Sequence, residues 1–297
     1  MRTVDEHDWL AERFEEHRGR LRAVAYRMLG SLSEADDAVQ EGWLRLSRSD
    51  ADEIENLGAW LTTVVGRVSL NMLRSRRTRR EEALDAVHVP EPIVDRADGT
   101  DPEHEALVAD SVGLALLVVL ETLRPAERLA FVLHDIFAVP YGDIAPIIDR
   151  SPAAVKQLAM RARRLVQAEN TVPDADLDVQ HEVVDAFLAA AREGNFQALL
   201  EVLDPDVIQR TDVGALPIGA SGVDRGAATV ARQAIAFSRP DLEVRPVLVN
   251  GAAGIVTLRN GEPFAISGFT IRNRRIVEMD ILADPERLRR LDLPILD

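Results

Sequence analysis

The spacing of apolar residues changes once along this chain of 297 residues, and that change limits the folds available to it. From Trp9 to about Arg80, where apolar residues recur at intervals of three, four and seven, and again from about Leu107 to Gln167, the pattern is that of helices. After Asp178 one more helix, to about Glu193, gives way to Gly-rich turns and β-rich segments such as AGIVTLRN and RIVEMDIL. The pattern predicts helical units followed by an α+β unit.

Two polar, proline-bearing stretches divide the chain. Pro90, Pro92, Gly99 and Pro102 lie in the first of them, which lacks sustained periodicity and predicts a linker. The expected organisation is a helical domain at 1–80, a linker at 81–106, a second helical domain at 107–170, a linker at 171–178 and an α+β domain at 179–297. Short turns between successive strands of the last domain predict an antiparallel meander covered by helices.

Charge and composition exclude several classes of protein. The formal net charge of -15 disfavours a free-standing DNA-binding protein, because such proteins neutralise phosphates with Lys and Arg. Cysteine is absent, so disulfides and thiolate metal sites are excluded. The acidic N-terminus lacks an apolar signal-peptide core, and no run of about 18 apolar residues occurs, so a cytoplasmic location is expected. Any nucleic-acid function must be local or assisted by a partner.

Residues 140–166, PYGDIAPIIDRSPAAVKQLAMRARRLV, have the pattern of a helix-turn-helix. Ser151 can cap the second helix and Pro152 suits its first position. The predicted buried stripe of that helix is Val155, Leu158, Ala162 and Leu165. The side chains left facing outward, where they could reach phosphates and base edges in a major groove, are Lys156, Gln157, Arg161 and Arg164. A surface helix with solvated arginines fits the same periodicity.

Two helices expected nearer the N-terminus also have distinctive faces. One is expected from about Leu57 to Arg77, and its apolar face is Leu61, Val64, Val68 and Met72. Its polar face consists of Arg67, Asn71 and Arg74. That face runs into a positive patch formed by Arg76, Arg77, Arg79 and Arg80. A solvated helix end is the alternative, because cations suit the helix dipole there. The other, capped by Ser33 and ending at Leu46, is acidic and amphipathic, and its exposed residues are Asp36, Asp37, Gln40 and Glu41.

These three segments, in this order and spacing over roughly residues 9–167, resemble regions 2.2, 2.3–2.4 and 4.2 of the extracytoplasmic-function sigma factors. Pro146 inside the first helix of the helix-turn-helix, and Asp149 where glycine is common, depart from the family pattern. The resemblance implies two all-α sigma domains, and it implies that Asp36, Asp37, Gln40 and Glu41 bind the β′ clamp helices of core RNA polymerase, whose β flap is a further partner.

The same resemblance implies contacts with promoter DNA. The minus-10 element would be bound by Arg67, Asn71, Arg74, Arg76 and Arg77. The minus-35 element would be bound by Lys156, Gln157, Arg161 and Arg164. Polymerase would supply the catalytic site and most of the DNA affinity, which agrees with the negative net charge of this chain.

Residues 179 to about 283 resemble a SnoaL-like domain of the NTF2-like superfamily, a cone in which a curved sheet and helices surround a pocket. Sigma factors with such a domain share WLPEP-like, DGGG-like and NPDKL-like motifs, and this chain has HVPEP, DVGA and ADPERL in the corresponding places. The resemblance implies regulation in cis, and it leaves room for a small-molecule ligand in the pocket. The residues it marks as regulatory are Pro90, Glu91, Pro92, Asp212, Asp284 and Pro285. Deletion beyond about Leu177 is then expected to change promoter-dependent transcription.

Two other functions fit parts of the sequence. One is a conventional helix-turn-helix regulator that binds an operator as a dimer and uses its C-terminal domain as a ligand sensor. The other is a cyclase-like enzyme with His181, Asp212 and Asp280 as titratable candidates, although none is convincingly paired in sequence. HEVVD, from His181 to Asp185, lacks the second histidine of a zinc-binding HExxH. We therefore expect no catalysis, no metal and no cofactor.

Overall fold

The computed structural model describes residues 4–49, 54–80, 87–97, 99, 113–169, 176–214 and 221–294. They form two compact units, each described by itself. The described residues of the first unit are 4–49, 54–80 and 119–169, and those of the second are 87–97, 99, 113–118, 176–214 and 221–294. Residues expected to be a free linker therefore belong to the C-terminal unit, and the two helical segments expected to be separate domains form one unit.

The first unit is helical. Its helices are α1 (Val4–Leu29), α2 (Leu32–Arg48), α3 (Leu57–Arg80), the end of α4 (Gly113–Thr122), α5 (Pro125–Phe131), α6 (Tyr141–Ile148) and α7 (Pro152–Glu169), with a π-helical turn (Val132–Ile136) after α5. The N-cap of α2 is Ser31 instead of Ser33, because the Ser31 hydroxyl accepts the Glu34 N–H at 3.3 Å. Within the described residues, no helix is both long and apolar enough to cross a lipid bilayer.

Helices α6 and α7 form the predicted helix-turn-helix. Helix α6 continues past Pro146 to Ile148 and ends at Asp149, which is left-handed with φ 55° and donates its N–H to the Ala145 carbonyl. Aspartate tolerates this conformation better than most residues, which explains how it replaces the usual glycine. The Ser151 hydroxyl then accepts the Ala154 N–H at 3.3 Å and caps α7.

The buried stripe of α7 differs from the predicted one. Val155, Ala159 and Ala162 are buried, whereas Leu165 is 49% exposed, so the prediction was wrong at Leu165. At about 100° per residue, Leu165 lies roughly a quarter turn away from the stripe that these three residues define. The actual stripe consists of small side chains, which lets α7 pack closely on α5.

The second unit is an α+β structure, as predicted. Its helices are α8 (Leu177–Glu193), α9 (Phe196–Val202), α10 (Ala227–Phe237) and α11 (Pro285–Leu288). Its strands are β1 (Val94–Arg96), β2 (Leu203–Asp212), β3 (Gly222–Arg225), β4 (Leu242–Val249), β5 (Ala252–Arg259), β6 (Glu262–Arg272) and β7 (Arg275–Leu282). In the part of the chain that the structure describes, they form one sheet in the order β1-β4-β5-β6-β7-β2-β3.

The predicted antiparallel meander is present in β4 to β7, and three further strands extend the sheet, with β3 pairing antiparallel to β2. Strand β2 pairs with β7 in parallel, with Gln209 opposite Met279. Strand β1 comes from the stretch expected to be a linker and pairs antiparallel with β4, with Val94 opposite Val249. The HVPEP segment therefore leads directly into an edge strand of the C-terminal sheet.

The two faces of the sheet are covered differently. Helices α8 to α10 pack on one face around a core that includes Phe187 and Phe269, whose rings meet edge to face at 5.8 Å. On the other face, the paired Gly254 and Gly268 leave space that the side chain of Val249 fills. Leu114, at the start of α4, packs on Gly268. The start of α4 thus forms part of this second core.

Candidate functional site

The outward face of α7 brings together all four residues predicted for the minus-35 element. Lys156, Gln157, Arg161 and Arg164 are exposed on one side of the helix. The Arg161 Nε atom lies 3.7 Å from a Glu127 carboxylate oxygen, and the Arg161 side chain is 57% exposed. The face is cationic and polar, and it stands clear of the buried stripe.

Arg163 on the same helix has a different role. Its Nε atom donates to Asp135 at 2.7 Å, and this hydrogen bond together with the carboxylate charge raises the pKa of Arg163. Asp135 lies in the π-helical turn, where His134 stacks on Tyr141 with ring centroids 3.7 Å apart. Arg163 therefore fixes the orientation of α7 relative to the turn before α6.

The residues predicted for the minus-10 element do not all share one environment. Arg67, Asn71 and Arg74 are exposed along one side of α3. Arg76 is only 18% exposed, donates to the Leu29 carbonyl at 3.0 Å and forms an ion pair with Glu34. Arg76 thus ties the α1–α2 turn to α3, and its contact with DNA stays a prediction.

The other arginines at the end of α3 belong to the same predicted patch. The side chains of Arg77, Arg79 and Arg80 lie outside the described residues.

Helix α3 packs on the helix-turn-helix portion of the same unit at a contact that we call the α3 seam: Gly66 with Leu129, Leu133 and Ile147. A Cβ atom placed on Gly66 would lie 3.5 Å from a methyl group of each of the two leucines and 3.8 Å from Ile147. Beside it, Arg67 donates to the Pro146 carbonyl at 2.9 Å. One predicted DNA-binding arginine is therefore engaged by α6.

A second set of contacts joins α1 to the same part of the unit. Arg20 donates to the Phe137 carbonyl at 3.0 Å, and the Arg27 guanidinium lies 5.2 Å from the Phe137 ring centroid. Arg128, 2% exposed, donates to the Arg27 carbonyl at 3.0 Å. These contacts leave a cavity of about 340 Å³ whose lining includes His17 and Asp143. The structure thus describes a closed arrangement of the two helical segments.

The predicted polymerase-binding residues lie on α2. Asp37 and Gln40 are exposed, while Asp36 pairs with Arg22 at 2.7 Å. Glu41 is half-buried and pairs with Arg45 at 2.8 Å. Leu44, one turn further on, is 38% exposed, so the acidic face surrounds an apolar side chain. Such a surface suits an interface with an apolar centre and a polar rim.

In the second unit, the three short motifs meet at a contact that we call the clasp: Arg287, Asp212 and the backbone of Val89. Arg287 donates to Asp212 Oδ2 at 2.8 Å and to the Val89 carbonyl at 2.6 Å. The Val89 N–H donates in return to Asp212 Oδ2 at 3.0 Å. The clasp therefore joins the HVPEP segment, the DVGA segment and the ADPERL tail.

The environment of Asp212 favours its charged form. Burial alone would raise its pKa, but the hydrogen bonds from His88, Val89 N–H and Gly214 N–H and the charge of Arg287 lower the pKa of Asp212 below its ordinary value. The carboxylate is thus ionised at neutral pH, and the ion pair with Arg287 persists there. Both side chains are largely buried, with 5% and 13% exposed.

The remaining regulatory candidates surround the clasp. Pro90 and Pro92 are buried, and Glu91 lies 4.0 Å from Arg287 Nε. Asp284 caps α11 by accepting the Glu286 N–H at 2.9 Å, and Pro285 is the first residue of that helix.

The backbone conformation at Gly214 requires a glycine in the DVGA segment. Its φ is +65°, and a Cβ atom there would lie 2.4 Å from the Asp284 carboxylate.

Comparison with known proteins agrees with this arrangement. A family model described as Sigma-70 region 2 matches residues 13–79, and one described as Sigma-70, region 4 matches residues 113–166. The ECF RNA polymerase sigma factor SigJ of Mycobacterium tuberculosis H37Rv is 38% identical, over 92% of this chain and 91% of that protein. The chain belongs to the extracytoplasmic-function (ECF) sigma factors.

Other relatives of this ECF sigma factor extend the similarity through the C-terminal unit. The probable ECF sigma factor SigI of M. tuberculosis is 34% identical, over 96% of this chain and 97% of that protein. The crystal structure of M. tuberculosis SigJ aligns with a TM-score of 0.76 and 34% identity, covering 94% of this chain and 98% of that one. The chain therefore matches SigJ and SigI over nearly their whole length.

Two of the three titratable residues considered for an enzyme, Asp212 and Asp280, are paired with arginines in this ECF sigma factor. Asp212 belongs to the clasp. Asp280 is buried beside Arg210, whose Nη1 atom lies 3.1 Å from Asp280 Oδ1, and burial raises the pKa of Asp280 despite that arginine. His181 lies half-buried on α8. Each of the two carboxylates is thus bound to a different arginine.

Sequence reasoning missed three residues that shape these sites. Gly66 stands among helix-forming residues in α3 and could have been noticed as a glycine in a helix interior. Arg287 lies within the tail motif, but the sequence does not indicate that Asp212 is its partner. Leu44 is one of several apolar residues in α2, and its spacing from Gln40 and Glu41 places it beside the acidic face.

Proposed function

We propose that this chain binds core RNA polymerase, recognises minus-10 and minus-35 elements and initiates transcription, and that its C-terminal unit modulates this activity in cis. The observation that supports it best is that both matched sigma-70 regions present an exposed cationic helix face: α3 with Arg67 and Arg74, and α7 with Lys156, Arg161 and Arg164. Such a role places the protein in the cytoplasm with its polymerase.

Polymerase is essential to the proposal because the chain as a whole is acidic. With a formal net charge of -15, the unassisted protein would be repelled by DNA except at these two faces. The acidic surface of α2, with Leu44 at its centre, is the surface we assign to the β′ clamp helices. Complementary charge would steer this docking, and the leucine would provide apolar burial.

The closed arrangement of the first unit must open during promoter binding. The two elements are centred about 25 base pairs apart, which is roughly 85 Å of duplex at 34–36 Å per turn of 10–10.5 base pairs. Arg67 and Pro146, one on each helical segment, are only 2.9 Å apart at the α3 seam. We therefore propose that region 4 leaves α3 before both elements are bound.

The C-terminal unit acts, in this proposal, through the segment that connects the two sigma regions. Val89, Ile93 and Val94 of that segment are at most 1% exposed and belong to the C-terminal unit. The clasp holds the beginning of the segment, and pairing with β4 holds its end. A small-molecule ligand for this unit stays a prediction, and the proposed modulation does not depend on one.

In vitro transcription distinguishes the proposed function from a conventional helix-turn-helix regulator. Core polymerase with the purified chain is expected to produce defined transcripts from a library of promoter fragments, whereas the chain alone is expected to give no sequence-specific gel shift. A specific shift by the chain alone, without transcripts when core polymerase is added, would favour the regulator and reject the sigma factor function.

Replacing Leu44 by aspartate is expected to weaken binding to core polymerase at least tenfold. The new carboxylate would have to be buried in the centre of the interface, next to the existing charges of Asp37 and Glu41. Fluorescence anisotropy with labelled protein measures the affinity. Leu177→Asp is the matched control, since Leu177 is equally exposed, at 37%, on the C-terminal unit. Equal effects of the two substitutions would remove α2 from the proposed interface.

A further inference from the structure

One apolar side chain lies on the exposed face of α7 among the residues assigned to DNA. Met160 is 40% exposed. At 100° per residue it lies about 40° around the helix from Lys156, 60° from Gln157 and 40° from Arg164. It is therefore part of the same face as these polar residues and points away from the stripe formed by Val155, Ala159 and Ala162.

The position of Met160 along α7 also matters. The helix begins at Pro152, so Met160 lies in its first half. In helix-turn-helix proteins the residues near the start of the second helix contact base edges, while flanking residues bind phosphates. Lys156 and Gln157 occupy the turn before Met160, and Arg161 and Arg164 follow it. Met160 thus lies one turn after Lys156 and Gln157, on the face of α7 that we assign to the major groove.

The major groove offers one apolar group to such a side chain, the C5 methyl group of thymine. Methionine is suited to this contact because its unbranched thioether side chain adapts to the shape of its neighbour. The polar residues around it can bind phosphates and the hydrogen-bonding edges of the other bases, but they gain nothing from a methyl group.

We propose that Met160 determines part of the promoter specificity by contacting a thymine methyl group in the minus-35 element. This inference rests on the proposed sigma factor function and adds one residue and one chemical group to it. A methionine that serves only as a surface residue, or one that contacts polymerase, would have no preference for the methyl group of a particular base.

The test removes the methyl group without altering any hydrogen bond. A promoter selected from the library by the wild-type chain with core polymerase is synthesised with each minus-35 thymine, on either strand, replaced singly by deoxyuridine. At one position the wild-type holoenzyme is expected to bind and transcribe about fourfold less well, the effect of losing one buried methyl group. With Met160→Ala, the thymine and uracil templates are expected to perform equally at that position.

Two variants serve as controls. Met160→Leu retains an apolar side chain of similar size and is expected to keep the preference for thymine. Lys156→Ala is expected to weaken binding while leaving the ratio between thymine and uracil unchanged, because an ammonium group binds phosphates or base acceptors and gains nothing from a methyl group.

The possible outcomes separate the inference from the function on which it rests. If the wild-type holoenzyme shows no methyl effect at any position, or if Met160→Ala keeps the full effect, the inference is wrong and the sigma factor function stands. If Met160→Ala weakens core polymerase binding and lowers transcription equally on all templates, Met160 contacts polymerase and the inference is again wrong. If no promoter gives transcripts with the wild-type chain, the proposed function fails and the inference fails with it.

Discussion

Replacing Gly66 by leucine is expected to open the first unit and to raise promoter-dependent transcription about tenfold when polymerase is limiting. A Cβ atom added at this position would lie at ordinary van der Waals distance from Leu129 and Leu133. The three further carbons of leucine would overfill the α3 seam, and overpacking of this kind costs about 1–3 kcal/mol. Since about 1.4 kcal/mol corresponds to a factor of ten in an equilibrium constant, the ratio of open to closed molecules should rise about tenfold.

Gly66→Ala is the matched control. Alanine supplies the Cβ atom that the seam accommodates, and it favours the helix over glycine by about 1 kcal/mol. Both variants therefore improve the helix propensity of α3, but only leucine disrupts its contact with Leu129, Leu133 and Ile147. We expect the alanine variant to stay closed and to transcribe no better than the wild type.

Fluorescence energy transfer measures the opening directly. The chain has no cysteine, so dyes can be attached specifically to cysteines introduced at Glu16 on α1 and Ala168 on α7, both of which are exposed. Transfer efficiency should fall in the leucine variant and remain at the wild-type value in the alanine variant. If both substitutions change transfer and transcription in the same direction, the effect arises within α3 and the seam does not control opening.

The parts of this fold that follow from the sequence are those set by residues close together in the chain. The helix-turn-helix is an example, since Asp149, Ser151 and Pro152 specify the turn and the start of α7 within four residues. The acidic face of α2 is another, because its exposed positions follow directly from helical spacing. The same spacing also placed Lys156, Gln157, Arg161 and Arg164 on one face, where the structure has them.

The parts that do not follow depend on partners far away in the chain. Strand β1 has only three residues, too few to show a period, and it exists because Val94 pairs with Val249. Nothing in the local sequence around Arg76 predicts that its guanidinium donates to the carbonyl of Leu29, the last residue of α1. Local patterns describe faces of helices, but only tertiary contacts decide which charged side chains on those faces stay available to DNA.

Replacing Arg287 of the clasp by methionine is expected to release the HVPEP segment from the rest of the C-terminal unit. The substitution keeps most of the aliphatic stem and removes the guanidinium that binds Asp212 and the Val89 carbonyl. Breaking a buried ion pair from one side costs about 3 kcal/mol, because the remaining charge stays buried without its partner. Amide hydrogen exchange in Val89 to Val94 should therefore accelerate about 100-fold at neutral pH.

The pH dependence of this effect has a definite sign. The pKa of Asp212 is lowered in the folded protein, so its ionised form contributes stability above the unfolded value of about 4 and loses that contribution as the pH falls through the lower folded value. The difference in exchange between wild type and Arg287→Met should be constant from about pH 5 to 8. It should shrink below about pH 4, where Asp212 is increasingly protonated and the clasp weakens in the wild type as well.

Arg287→Met also tests whether the clasp influences transcription, and it does so more cleanly than deletion of the C-terminal unit. Deletion would remove β4 and expose Val89, Ile93 and Val94, which are at most 1% exposed, so any loss of activity could arise from aggregation. Arg289→Met is the control, because Arg289 is exposed directly after the same short helix and donates locally to the Pro285 carbonyl. Transcription should change in Arg287→Met and not in Arg289→Met at matched polymerase concentrations. A released segment with unchanged transcription would show that the C-terminal unit does not act through the clasp.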